Sequence, residues 1–403
     1  MEKDSFVLEG GRVIDPLNNI DNVMDVKISN GRIAAVALDL PPDDSLRISA
    51  KGFYVVPGLL DIHAHVDTFH STPSSQVTGL DADAHMFRSG VTTTVDAGSS
   101  GWANFEDFKE RCIDSSHVRI LAFVNIARVG MVDGRSEQNA ADLVPEKAAE
   151  IAGFFADVIV GIKSAHYWTK NPWDADHQPW TSVDMALEAA ELCHKPVMID
   201  FWPRPPERSY QDLLRRLRPG DIHTHVFAQQ FPVLDSNGKP NSLLFEARER
   251  GIRFDLGHGA ASFWFRNAVP ALDHGFPPDS LGTDLHMANV NGPVISMLHT
   301  MSKYLSMGMP IEEVIARSTI IPARMIGHPE LGSLSVGSEA DVAVLRQSDG
   351  EFGFADCGGA RMTGPAILEC MMTVRSGKVV FDPRGLKLPD WTQAPASYWE
   401  IKR

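Results

Sequence analysis

The pattern of apolar and polar positions changes twice along the chain. From about residue 5 to 55, short apolar runs alternate with turn residues: Phe6-Val7-Leu8 before Gly10-Gly11, Arg12-Val13-Ile14 before Asp15-Pro16, Val26-Lys27-Ile28 before Asn30-Gly31, then Ile33-Ala34-Ala35-Val36. Runs this short, bounded by Gly, Asn and Asp, predict strands joined by tight turns. The same texture returns at residues 337–345 and 372–380. Between the two ends, apolar runs of strand length at 59–63, 93–96, 120–125, 158–162, 197–200, 222–226, 253–256 and 280–283 are separated by stretches with helical periodicity, such as 182–193 and 311–318. Continuous apolar strand runs imply burial on both faces. Eight such β units in series, with helices between them, predict an α/β fold built on a (β/α)8 TIM-like barrel. A doubly wound open sheet competes, but no Gly-x-Gly-x-x-Gly opens a helix after the first of these strands.

At 403 residues the chain is too long for one small core and suits a barrel with an appended domain. The expected organisation is a barrel at 57–334, a small β-sandwich domain composed of 1–56 and 335–390, and a C-terminal tail at 391–403. Charge narrows the partners. With 37 basic and 52 acidic residues the formal net charge is −15, which opposes binding to nucleic acid or an anionic membrane. A small-molecule substrate is expected, with homo-oligomerisation left open. The segment Met1 to Gly10 has no basic stretch followed by an apolar one, and no apolar run is long enough to span a bilayer, so a cytoplasmic protein is expected. Cys112, Cys193, Cys357 and Cys370 stand far apart, as core thiols would, rather than as a disulfide framework or thiolate zinc site.

Candidate chemistry lies where the predicted strands end. In a strand, alternate side chains share a face, so His63 and His65 can present both imidazoles to one metal ion. By itself the pair fits two hydrogen-bonded histidines equally well. Later strand ends add Asp96, Lys163, Asp200, His223 and His225, His258, Asp284 and then His286. Catalytic residues of a barrel come from the C-terminal ends of several strands. Lys163 follows the apolar run Val158 to Ile162, and a buried ammonium must be paired or lose its charge. Spacing alone favours pairing with Asp200 or another carboxylate; carboxylation by carbon dioxide is the alternative.

Taken together, Val56-Pro-Gly-Leu-Leu-Asp-Ile-His-Ala-His65, Gly90-Val-Thr-Thr-Thr-Val-Asp-Ala-Gly98, Gly161-Ile-Lys163, Thr224-His-Val-Phe227, Phe254-Asp-Leu-Gly-His-Gly259 and Gly282-Thr-Asp-Leu-His286 resemble the amidohydrolase superfamily, in its deacetylase or dihydroorotase-like branch. Asn291-Gly-Pro-Val, Thr300-Met-Ser-Lys and Pro322-Ala-Arg extend the resemblance to about residue 380. It implies that His63, His65 and Asp284 hold one metal, that Lys163 is an N6-carboxylysine bridge, and that His225 holds a second metal. One position departs: Asp200 stands where the family pattern has a histidine. A shorter, harder, anionic ligand there leaves open two Zn2+, a shift towards Mn2+ or Fe2+, a single metal, or an Asp200 that bonds an unmodified Lys163. His223, two residues before His225, is a candidate replacement.

The resemblance further implies metal-activated hydrolysis with Asp284 as general base and acid. His258, Arg128 and His286 are the expected substrate-binding groups: His258 as a catalytic group for a substrate carboxylate or the developing oxyanion, with a structural hydrogen-bonding role as its alternative, and Arg128 for an anion. Aromatic clusters at 166–168, 201–204 and 263–265 suggest a partly apolar pocket. The expectation is hydrolysis of an amide or ester bond in an N-acyl amino acid or O-acyl hydroxy acid. A cyclic amide hydrolase of the dihydroorotase or hydantoinase kind is the alternative, and a non-catalytic scaffold on the same fold is a third reading.

Overall fold

The computed structural model describes residues 5–72, 75 and 77–400. Residues 1–4 of the expected small domain and 401–403 of the expected tail lie outside the described residues. The N-terminal strands are β1 (Ser5–Asp15), β2 (Ile20–Ser29), β3 (Arg32–Ala37), β4 (Leu46–Ser49) and β5 (Tyr54–Pro57). The central strands are β6 (Leu59–Ala64), β7 (Val91–Gly101), β8 (Arg119–Asn125), β9 (Ile159–Ser164), β10 (Val197–Ile199), β11 (Ile222–His223) and β12 (Arg253–Phe254). The chain ends with β13 (Val342–Ala355), β14 (Arg361–Arg375) and β15 (Lys378–Phe381).

The two chain ends meet in one sheet, ordered β15-β14-β13-β5-β1-β2-β3, with β4 on β1. The seam is internal: β5 pairs antiparallel with β13, Val55 opposite Val344, and parallel with β1, Val13 opposite Val55. The runs predicted as separate strands at 6–8 and 12–14 are one strand bent by a bulge between Leu8 and Gly11. That bend lets the sheet fold over Phe6, Val13, Val26, Val55, Val344 and Met372 as a small β-sandwich. The hairpin of β13 and β14 is longer than the sequence pattern predicts. At its tip, Cys357 N donates to Phe263 O at 2.9 Å and Asp356 accepts from Phe265 N at 3.2 Å, which ties it to the barrel.

Strands β6 to β12 lie side by side in chain order, all parallel. The predicted eighth strand closes the ring without regular strand geometry. Residues 280–285 bridge Asp255 with Ser280 and Ala64 with Leu285, and His258 N donates to Gly282 O at 3.1 Å while His65 N donates to Leu285 O at 3.0 Å. Asp284, with φ of 51°, breaks the extended run. One end of the barrel is filled by Ala323, Met325 and Ile326 packed against Leu60, Leu121, Phe123 and Met198. Helices cover the outside, the longest being Thr181–Leu192. Among the described residues no helix is long and apolar enough to cross a membrane.

The closing segment is fastened by a buried carboxylate. Asp61, 1% exposed, accepts from Thr283 N at 3.0 Å, Thr283 Oγ1 at 2.5 Å and His63 N at 3.2 Å. Burial pushes its carboxyl up to about 7 against the pull of these bonds. Thr283→Val keeps the volume but leaves one carboxylate oxygen short of a partner. We expect a loss of about 1–3 kcal/mol in metal-saturated protein, read as a lower urea midpoint at unchanged slope.

Candidate metal centre

At the C-terminal ends of the strands, His63, His65, Lys163, Asp200, His225, Asp284 and His286 converge on a cavity of about 360 Å3. Three imidazoles are held in the same way. His63 Nδ1 lies 2.9 Å from Asp255 Oδ2 and 2.9 Å from Thr224 Oγ1. His65 Nδ1 lies 2.8 Å from Ser99 Oγ, whose own proton goes to Asp96 Oδ2 at 2.8 Å, so His65 is the donor. His225 Nδ1 lies 2.6 Å from the carbonyl of Gly257, which can only accept. Each ring therefore carries its proton on Nδ1 and turns a bare Nε2 lone pair inward, as metal-binding histidines do. Burial and the nearby Lys163 hold His63 at about 4, so it stays neutral.

Lone pairs also face oxygen. Asp284 Oδ1 is 3.2 Å from His65 Nε2 and 3.7 Å from His63 Nε2. Burial alone would raise the Asp284 pKa; positive charge at the rings of His63, His65 and His286 would hold it well below the usual carboxylate range. Ligand atoms of His63, His225 and Asp284 all lie within 4.8 Å of one another. An ionised oxygen against neutral nitrogen lone pairs is repulsive unless a cation sits between them, and imidazole with carboxylate suits a divalent ion. Close glycines make room for these groups: a Cβ on Gly98 would meet Lys163 Cγ at 2.6 Å, and one on Gly259 would meet Asp284 Oδ2 at 2.4 Å.

Lys163 corrects the expectation drawn from spacing. No carboxylate of the described residues is within ion-pair distance of it; its Nζ lies 3.4 Å from His63 Nε2 and 3.6 Å from Met198 Sδ. Burial lowers its pKa, against the raising influence of Asp200 and Asp284. Asp200 instead faces two imidazoles, His166 Nε2 at 3.4 Å and His225 Nε2 at 3.8 Å. The other nitrogen of His166, Nδ1, is 3.4 Å from Glu137 Oε2. The flanking Glu137 and Asp200 raise the pKa of the His166 ring, whose side chain is 42% exposed, to about 9. His223 takes no part: it packs among Tyr210, Phe231 and Phe254 with neither nitrogen bonded, and burial pushes it down to about 3.

The expected substrate-binding groups divide. His286 lines the cavity, and its Nδ1 accepts from Ala288 N at 3.2 Å, which leaves the proton on Nε2. Arg128 is exposed and off the cavity lining. His258 is fully buried behind the wall, stacked on Phe263 at 4.5 Å, with its Nε2 2.7 Å from Lys303 Nζ. Of the aromatic clusters, Tyr167, Phe201 and Trp202 line a neighbouring pocket, whereas Phe263, Trp264 and Phe265 do not line either cavity. The sequence reading passed over His166 as a ligand, Glu137 and Arg208, which sit in irregular loops. Asp255 stood inside a quoted motif without a role.

The sequence profile of the amidohydrolase family matches residues 265–364. A deacetylase from Agrobacterium fabrum is 35% identical over 345 residues, covering 82% of this chain and 80% of its own. The chain belongs to the amidohydrolase superfamily. A deacetylase from Enterococcus faecalis is 26% identical over 368 residues, covering 88% of this amidohydrolase and 95% of its own length. A solved dihydroorotase superposes with a TM-score of 0.80 at 29% identity, covering 94% of this chain and 99% of its own. An adenine deaminase with a TM-score of 0.82 and 24% identity, over 94% and 99% of the two chains, shares the fold. The amidohydrolase is a hydrolytic enzyme of a family that uses divalent metals, with the barrel and β-sandwich expected of it.

Lys303 behind the site gives a stability test. It is fully buried, with Nζ donating to Pro293 O and Ala355 O at 2.8 Å each, and burial lowers its pKa to about 7. Between about pH 7 and 10 the unfolded chain binds this proton and the folded chain does not. Stability therefore rises with pH across that window, by at most about 1.4 kcal/mol per unit. Lys303→Met should lack this rise, measured as the difference in unfolding free energy between wild type and variant from pH 7 to 10.

Proposed function

We propose that this amidohydrolase is a metal-dependent deacylase that cleaves the amide or ester bond of a small N-acyl amino acid or O-acyl hydroxy acid. The observation that carries the reading is the set of three imidazoles that give their Nδ1 protons to acceptors outside and turn Nε2 onto the cavity that also holds Asp284 and Lys163. The relative named a deacetylase from Agrobacterium fabrum is 35% identical over 82% of the chain, against 29% over 94% for the solved dihydroorotase. That contrast favours a deacylase over a cyclic amide hydrolase.

In this reading His63, His65 and Asp284 hold one ion and Lys163, His225, Asp200 and His166 hold a second. Burial shifts Lys163 towards the free amine, the form that adds to carbon dioxide with loss of a proton to give N6-carboxylysine. Glu137 orients His166 as a carboxylate behind a ligating histidine does. His166 supplies the imidazole that Asp200 withholds, and the two carboxylates that hold a proton on it favour a cation in that proton's place. Two Zn2+ fit these nitrogens; the Asp200 oxygen extends the choice to Mn2+ or Fe2+. Divalent ions bound here would bring the pKa of water towards about 7 and polarise the acyl carbonyl. Asp284, held ionised, takes the proton of the attacking water and returns it to the leaving nitrogen or oxygen. His286 donates its Nε2 proton to a substrate oxygen.

Asp284→Asn should keep its metals and lose about 10²–10⁴-fold in kcat on a panel of N-acyl amino acids, acyl hydroxy acids and hydantoins. Full activity with metals retained would remove Asp284 as the base, and turnover confined to hydantoins would replace the deacylase reading. The second ion is tested separately. By elemental analysis, wild type should carry two equivalents of metal and His166→Ala one; two in both would exclude His166 as a ligand.

A further inference from the structure

Arg208 is a charge without a counter-ion. Its side chain is 2% exposed, yet no carboxylate of the described residues lies within ion-pair distance of it. Its only hydrogen bond among them is from Nη1 to Tyr167 O at 3.1 Å, and Nε is buried with no partner. Burial lowers its pKa to about 10 against the raising influence of Asp200. The guanidinium lies 4.4 Å from the Phe201 ring centroid and 6.0 Å from that of Tyr167. The loop that carries it is clamped: Arg204 and Arg208 exchange backbone hydrogen bonds at 2.7 and 3.0 Å, and Arg204 Nη1 donates to Trp168 O at 2.7 Å. This cation is held ready rather than left mobile.

It lines a pocket of about 140 Å3 that shares His166, Asp200, Ala261 and Ser262 with the metal cavity. Tyr167, Phe201, Trp202, Gln229 and Gln230 are among its other lining residues. With Nη1 taken by the Tyr167 carbonyl, the edge that remains is the one formed by Nε and Nη2. That edge grips both oxygens of a carboxylate elsewhere in this chain, where Arg12 Nε and Nη2 hold Asp21 at 2.6 and 2.7 Å. A planar carboxylate matches the fork; a phosphate dianion would bring more charge against the neighbouring Asp200.

We propose that Arg208 is the substrate-carboxylate anchor of this enzyme, so that it acts on acylated carboxylic acids whose side chain lies against Phe201 and Trp202, and not on the corresponding neutral amides. This rests on the deacylase reading for the reaction, but the binding step can be measured without turnover. Calorimetric titration of the metal-loaded protein with 3-phenyllactate and with 3-phenyllactamide should show the acid binding at least tenfold tighter, and Arg208→Gln should erase that preference. Arg208→Lys, which keeps the charge without the fork, should keep only part of it, and it carries the test if the glutamine variant does not fold. Equal affinities in wild type, or a preference that survives in the glutamine or lysine variant undiminished, would overturn the assignment. Failure of the reaction panel with the acid preference intact would overturn the deacylase reading and leave the anchor standing.

Discussion

The site depends on where three protons are. His63, His65 and His225 each give their Nδ1 proton to an acceptor outside the cavity, and that choice fixes a lone pair inside it. The acceptors come from different parts of the barrel: Asp255 just after β12, Ser99 within β7 and the Gly257 carbonyl beyond β12. Tautomer and ring orientation are thus set by the barrel's own closure and not by the ligands alone. Asp255 holds this together by binding His63, Thr224 and Ser280 at once, so one carboxylate links the first, sixth, seventh and eighth units of the barrel.

Backbone strain follows the same layout. His166, His225 and Asp284 all adopt left-handed backbone, with φ of 39°, 60° and 51°. Side chains larger than glycine are disfavoured there, and such positions persist where surrounding structure over-determines them. Each lies just past a strand end or in the closing segment, where the chain must turn to aim a side chain back over the barrel axis. This is why β11 and the eighth unit end sooner, as regular strands, than their apolar runs predict.

Much of this was legible in the sequence. The strand ends carrying His63, His65, Lys163, His225 and Asp284 could be found because burial on both faces leaves continuous apolar runs, and polar residues stand out where those runs stop. The β-rich ends were readable from their turns. What periodicity could not convey was contact between loops. Nothing in the local pattern brings Glu137 to His166, or His166 to Asp200, because all three sit in or beside irregular segments. His258 misled for the reverse reason: it follows a strand and is flanked by glycines, but its ring turns back onto Phe263 and Lys303. Lys163 misled because its spacing to Asp200 says nothing about His166 and His225, the two rings that this carboxylate faces instead.

The internal seam of the small sheet bears on how the protein is made. β5 leads directly into β6, which carries the first two histidines, and its antiparallel neighbour β13 emerges from the ribosome some 280 residues later, counting from Pro57 to Val342. Until then β5 offers an unpaired edge next to an incomplete barrel, the kind of exposed strand that recruits other chains. The last-made hairpin supplies that missing neighbour and then reaches past it to the loop after His258. Assembly of the metal pocket is therefore a late event in synthesis, and a nascent chain stalled before β13 would hold its histidines in a barrel whose first strand is not yet anchored.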